Sequence, residues 1–172
     1  MSEIVNADKL IAKLHRLSDS RTVTDIVLTA ANGGGKMVQG EAKLLAPVNS
    51  GELRNEGIQV KTEAKSVGEA IAVVYVTKEY GIYVELGTGP VGQANHSGIS
   101  PEVTVSYRST PWYVHESQID VGPYHFQKVG DFYKMYGQPA QPYLYPALKN
   151  NEKRVSQYIC TYVNKRIKEI VK

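Results

Sequence analysis

Apolar positions recur at helical intervals at both ends of this chain and at strand intervals between them. Leu10, Ile11, Leu14 and Leu17 predict a first helix, capped by Asn6 or Asp8 and ending near Ser18-Asp19-Ser20. A second helix is expected to start at Thr22 or Thr24, to lay Val27, Ala31, Gly34, Val38, Ala42 and Leu45 along one stripe, and to stop at Pro47. Gly33-Gly34-Gly35 interrupts that stripe, and each glycine inside a helix costs about 1 kcal/mol relative to alanine. Either the helix breaks there or a neighbour packs against it at very short range. Ile58, Val60, Thr62 and Ala64 then alternate with polar residues as a half-buried strand, residues 65–69 turn, and residues 70–77 form a nearly continuous apolar run. That run is expected to be buried on both faces, at the centre of a sheet.

From residue 90 to 139 the pattern loosens. Gly, Pro, Ser and His separate short strand-like runs at 103–107, 112–115 and 131–135, which suits a long loop folded into one or two β-hairpins. Leu148, Val155, Ile159, Val163, Ile167 and Ile170 mark a final helix, with a proline in its first turn. The elements together predict an α+β fold in one domain spanning residues 1–172. Two N-terminal helices and a C-terminal helix pack on an antiparallel sheet, with the hairpin-bearing insertion at about 90–139.

Composition changes this picture in three ways. The length of 172 residues is enough to bury a core without staples. A lone cysteine, Cys160, cannot form an internal disulfide, and the first residues lack the basic and apolar regions of a signal peptide, so folding in a reducing, intracellular place is expected. Aromatic residues are segregated: none precedes Tyr75, and all twelve tyrosines lie at or beyond it. Tyr107, Trp112, Tyr113, Tyr124, Tyr133 and Tyr136 in the insertion form a candidate partner-contact surface, since Tyr and Trp supply dry area with a polar tip. The blander alternative is that they close a small hairpin onto the sheet.

The net charge of +3 is too small to argue for nucleic acid, but residues 149–172 carry seven Lys or Arg against Glu152 and Glu169. A small nucleic-acid-binding module using this basic helix is therefore the alternative function. A solvated polar face explains the charge more simply.

Candidate chemistry is sparse. Gly87-Thr88-Gly89-Pro90-Val91-Gly92 has the spacing of a dinucleotide-binding turn, but the residues after it do not read as the required helix. His96, His115 and His125 share the insertion with Glu116 and Asp120 without a tight metal-ligand spacing, and Cys160 has no evident activating neighbour. No catalytic residue, metal or cofactor is assigned. One charge does stand out. Glu85 lies among Tyr83, Val84 and Leu86, types that bury well, so it is exposed or held by partners. The N–H groups of Gly87-Thr88-Gly89 and a basic residue from elsewhere are the candidates.

Four stretches taken in order carry a resemblance. They are Ala46-Pro47-Val48 with Gly51, Leu53 and Arg54; Tyr83-Val84-Glu85-Leu86-Gly87-Thr88-Gly89; Pro111-Trp112-Tyr113-Val114; and Gly137-Gln138-Pro139-Ala140-Gln141-Pro142-Tyr143-Leu144-Tyr145-Pro146-Ala147-Leu148. The sequence resembles the small head-tail joining or tail-completion proteins of long-tailed bacteriophages and prophages. It departs from them at Asn49-Ser50, at Asn55-Glu56 and at Tyr143, where phenylalanine is common. The resemblance implies a non-enzymatic subunit at the virion neck, assembled in the bacterial cytoplasm into a homo-oligomeric ring. Its implied partners are the head connector or adaptor and the tail tube or terminator, with no membrane, and with nucleic acid only passing through the ring. Pro47, Gly51, Leu53, Arg54, Tyr83, Glu85, Gly87, Thr88, Pro142, Tyr143, Leu144, Pro146 and Ala147 are the motif residues. An Arg54–Glu85 ion pair is expected to tie the start of the sheet to the Gly-Thr-Gly turn.

Overall fold

The computed structural model describes residues 6–122 and 125–172. Helices α1 (Ala7–Ser18) and α2 (Ser20–Leu45) lead through one wide helical turn at Leu53–Gly57 into a hairpin, β1 (Ile58–Ser66) and β2 (Glu69–Val76). Short helices α3 (Gly81–Leu86) and α4 (Gly89–Ala94) follow. The insertion then forms a second antiparallel sheet from β3 (Trp112–His115), β4 (Gln127–Val129) and β5 (Phe132–Met135), in the order β3-β5-β4. The last helix, α5 (Leu144–Val171), runs alongside α2. The α+β class is as the periodicity predicts. The strand expected at 103–107 belongs to no ladder.

Asp19, in place of the threonines, caps α2, accepting from the Thr22 N–H at 2.8 Å. The helix then runs unbroken through the three glycines, because its neighbours occupy the space side chains would need. A Cβ on Gly34 would lie 2.9 Å from Val155 Cγ1 of α5, and one on Gly35 would lie 2.7 Å from Val60 Cγ2 and 2.9 Å from Ala72 Cβ of the hairpin. All three distances are below any normal carbon contact, so the glycines set how closely three elements approach. The buried stripe begins one position earlier than the periodicity suggests, at Ile26 and Ala30, before joining Gly34, Val38 and Ala42. Gly35→Ala is expected to lose about 1–3 kcal/mol by overpacking despite its better helix propensity. Gly40→Ala, in the same helix with nothing within 4 Å, should gain about 0.5–1 kcal/mol. Denaturant midpoints of the two variants, moving in opposite directions, check this.

Val38, Ala42, Ala46, Leu53, Ile58, Tyr143 and Ala147 form the core, where α2, the start of β1 and the start of α5 converge. Gln39 Nε2 donates to the Ile58 carbonyl at 2.8 Å and fixes the hairpin to α2. The expectation that residues 70–77 are buried on both faces is not met. The sheet has two strands and α2 covers one side only, so Ile71, Val73 (48 % exposed) and Tyr75 face outward. Leu10, Ile11 and Leu14 of α1 are likewise exposed, and no residue of α1 is buried.

Candidate functional site

The best-defined polar site joins α3 to the start of α5. Glu85 is 8 % exposed, and its carboxylate accepts three backbone N–H groups. Oε2 takes Tyr143 at 2.6 Å and Leu144 at 2.9 Å, and Oε1 takes Tyr145 at 3.0 Å. The first four N–H groups of a helix have no partner within it. Here the first three go to Glu85, and the fourth residue is Pro146, which has no N–H to satisfy. A carboxylate at this end of α5 also meets the positive end of the helix dipole. Glu85 thus caps α5 across 58 residues of sequence, a role an ordinary helix leaves to its own first residues.

Tyr143 completes the tie in the opposite direction. Its side chain is fully buried, and its hydroxyl donates to the Gly81 carbonyl at 3.0 Å, at the start of the helix that carries Glu85. A phenylalanine there could not make this bond. Burial, reinforced by the Glu85 charge, pushes the Tyr143 phenol well above its ordinary value near 10. A group whose folded pKa is raised contributes stability that is intact below the unfolded value and lost as pH rises above it. The protein is therefore expected to lose stability progressively above about pH 10. Tyr143→Phe should flatten that limb while costing about 0.5–1.5 kcal/mol near neutrality, measured by thermal unfolding across pH.

Arg54 is not the partner of Glu85. Its guanidinium donates through Nη2 to the carbonyls of Ala46 (2.7 Å) and Leu44 (3.3 Å), closing the negative end of α2. Each of the two charges therefore serves a different helix end. Beside Arg54, Leu53 is buried, and Gly51 takes a positive φ of 85° in the turn after the half-buried Pro47. The Gly-Thr-Gly turn does not hold Glu85 either. Its backbone is paired with the end of the insertion: Thr88 N–H donates to the Gln138 carbonyl at 2.9 Å, and Gln138 N–H donates back at 3.1 Å. Gln138 Nε2 reaches the Tyr83 carbonyl at 2.9 Å, and Gln141 N–H reaches the Val84 carbonyl at 2.8 Å. The segment from Tyr83 to Thr88 is thus stitched to residues 138–145. Pro142 and Leu144 are half-buried beside this seam, and Ala147 is buried one turn further on.

Contrary to the sequence reading, a helix does start inside the Gly87–Gly92 motif, namely α4. It follows a helix rather than a strand, so the dinucleotide-binding unit is still not formed.

The candidate aromatics divide. Tyr107 donates its hydroxyl to the Leu86 carbonyl at 2.7 Å, and Trp112 sits against Gly89 with the Arg108 guanidinium 5.6 Å from its ring. Tyr133 is half-buried beside Phe126 and Lys128. Tyr113 and Tyr136 face outward, together with Phe132, which the sequence reading did not single out. Tyr124 lies outside the described residues. Among the described residues no cluster of three His, Cys, Asp or Glu is placed to hold a metal. No helix among them is long and apolar enough to cross a membrane. On α5, Lys149 pairs with Glu152 at 3.2 Å and Arg166 with Glu169 at 2.6 Å.

Residues 8–87 match the family described as bacteriophage HK97-gp10, putative tail-component. That part of the chain is thus similar to a phage tail-component family, in agreement with the head-tail joining resemblance of its motifs. The match covers a little under half of the 172 residues and ends two residues after Glu85. No curated protein and no solved structure matches the chain.

Proposed function

We propose that this chain is a structural subunit of the phage neck, joining the head connector to the tail tube as a member of a homo-oligomeric ring, and that it catalyses no reaction. The match of residues 8–87 to a phage tail-component family carries this reading. The Glu85 constellation supports it, since its carboxylate holds the three N–H groups at the start of a helix. Such a site holds parts together, with both carboxylate oxygens engaged by backbone N–H groups. Outward aromatics on the insertion supply area for docking, and unlike surfaces meeting head to tail close into a ring when the rotation allows.

Its partners in this reading are copies of itself, the connector or adaptor above and the tube or terminator below. The site of action is the virion neck. Deleting the gene from its phage is expected to leave DNA-filled heads and separate tails, seen by negative-stain electron microscopy, with joining restored by supplying the protein. Normal joined particles without the protein would overturn the proposal.

A further inference from the structure

The layers of this fold do not match in width. Gly34 faces α5 and Gly35 faces the hairpin, and neighbouring helix residues point about 100° apart. Helix α5 therefore lies beside α2, over the free side of β2. Two helices side by side cover about 20 Å, whereas two strands about 4.8 Å apart cover roughly half of that. The shortfall is visible as an open apolar groove of about 1040 Å³, bounded by β2, α3 and the Leu148, Val155 and Ile159 side chains of α5.

One wall of this groove is a strand edge. Thr77 N–H bonds to the Gly57 carbonyl at 2.9 Å, and bonded pairs alternate along an antiparallel ladder. With Gln59 opposite Tyr75 and Lys61 opposite Val73 as bonded pairs, the backbone groups of Ala72, Val74 and Val76 point away from β1, into the groove. Residues 70–76 carry no charge, proline or bulge of the kind that usually guards such an edge. The groove has few polar side chains to orient a small ligand, and its Glu85 already accepts three backbone N–H groups. What it lacks is a strand.

The chain also contains an unused one. Residues 103–107, Val-Thr-Val-Ser-Tyr, alternate apolar and polar positions yet join no ladder. In their own copy Val105 and Tyr107 stand across an open space of about 580 Å³ from Ile82 and Leu86, and those same two side chains wall the β2 groove on their other side. Val103 lines the groove in its own copy, but Val105 and Tyr107 lie beyond α3, which Glu85 fixes to α5, so the full run would have to displace α3 to pair with its own β2. Among the described residues its side chains are tied to the rest of the chain at Tyr107, which donates to the Leu86 carbonyl and whose ring lies 5.7 Å from that of His96.

We infer that the β2 edge is a docking site for a second copy of this chain, whose 103–107 run adds to β2 as a third strand beneath α5. Donor and acceptor lie on different surfaces, so the contact is head to tail and repeats from copy to copy. This rests on the ring reading above and specifies the contact that builds the ring.

The test uses two proteins in a Cys160→Ser background, one carrying Val73→Cys and the other Thr104→Cys, mixed and oxidised. Hydrogen exchange of the unaltered chain over a concentration series accompanies it. A mixed disulfide dimer is expected, together with protection of the Ala72, Val74 and Val76 amides that rises about tenfold or more with concentration. Self-association without that protection and without the mixed disulfide overturns the inference but leaves the ring standing. Protection already complete at the lowest concentration assigns the edge to the chain's own residues, and protection confined to assembled virions with no mixed disulfide assigns it to another virion protein. Either result overturns the inference. Failure to self-associate both in solution and in virions overturns it together with the ring reading.

Discussion

Glu85→Ala is expected to lower the unfolding free energy by about 3–5 kcal/mol, with a fall in melting temperature on the order of 10 °C for a chain of this size. The substitution removes three charge-assisted hydrogen bonds at once and leaves the Tyr143, Leu144 and Tyr145 N–H groups facing a small cavity. Water could recover part of the loss at Leu144 and Tyr145, which are half-buried, but not at Tyr143, which is fully buried. Glu85→Gln retains the shape, yet its amide nitrogen must oppose one of the three donors, so it should lose roughly half as much. Urea unfolding of both variants, followed by circular dichroism, separates this from a surface role. A loss under about 1 kcal/mol for the alanine variant would mean that the tie is weak.

Gly137→Ala is expected to cost about 3 kcal/mol or more. A Cβ there would lie within 1.9 Å of the Thr88 carbonyl oxygen, and that oxygen is fixed because it accepts the Gln138 N–H. The backbone adds its own penalty, since φ at Gly137 is 86° and a left-handed residue other than glycine costs roughly 1–2 kcal/mol. Gly130→Ala separates the two contributions. Its φ of 59° is also left-handed, but nothing lies within 4 Å, so only the backbone penalty applies. Equal thermal shifts for the two variants would show that the close approach to Thr88 does not matter.

Local signals made much of the fold legible. Helical spacing located α1, α2 and α5, and alternation followed by an apolar run located the β1–β2 hairpin. What periodicity could not supply was the number of strands. An uncharged run such as Ala70-Ile71-Ala72-Val73-Val74-Tyr75-Val76 reads as doubly buried, and only the count of its neighbours shows that one face is open. The triple glycine was ambiguous for a similar reason. Propensity argues for a break, and the packing of Val155, Val60 and Ala72 against those positions overrides it.

At the site, the sequence left Glu85 either exposed or held by partners, and the partners it suggested are not the ones that hold it. The signal that could have found them is the spelling of the α5 start. Tyr143-Leu144-Tyr145 offers no Ser, Thr, Asp or Asn to cap its own helix, and the fourth N–H is removed by Pro146. A helix start without a cap of its own requires an acceptor from elsewhere, and a lone carboxylate among apolar residues requires donors.

The pairing of Thr88 with Gln138 has a bearing on how such a chain can change over time. The 49 residues between them depart from the body of the protein and return to it at one pair of reciprocal hydrogen bonds, and are tied back to it from Asn95 to Ala140 and from Tyr107 to Leu86. Closing a longer excursion costs only about 0.6 kcal/mol per doubling of its length. An excursion of this kind can thus be lengthened or shortened at small entropic cost while the clasp at its base stays as it is.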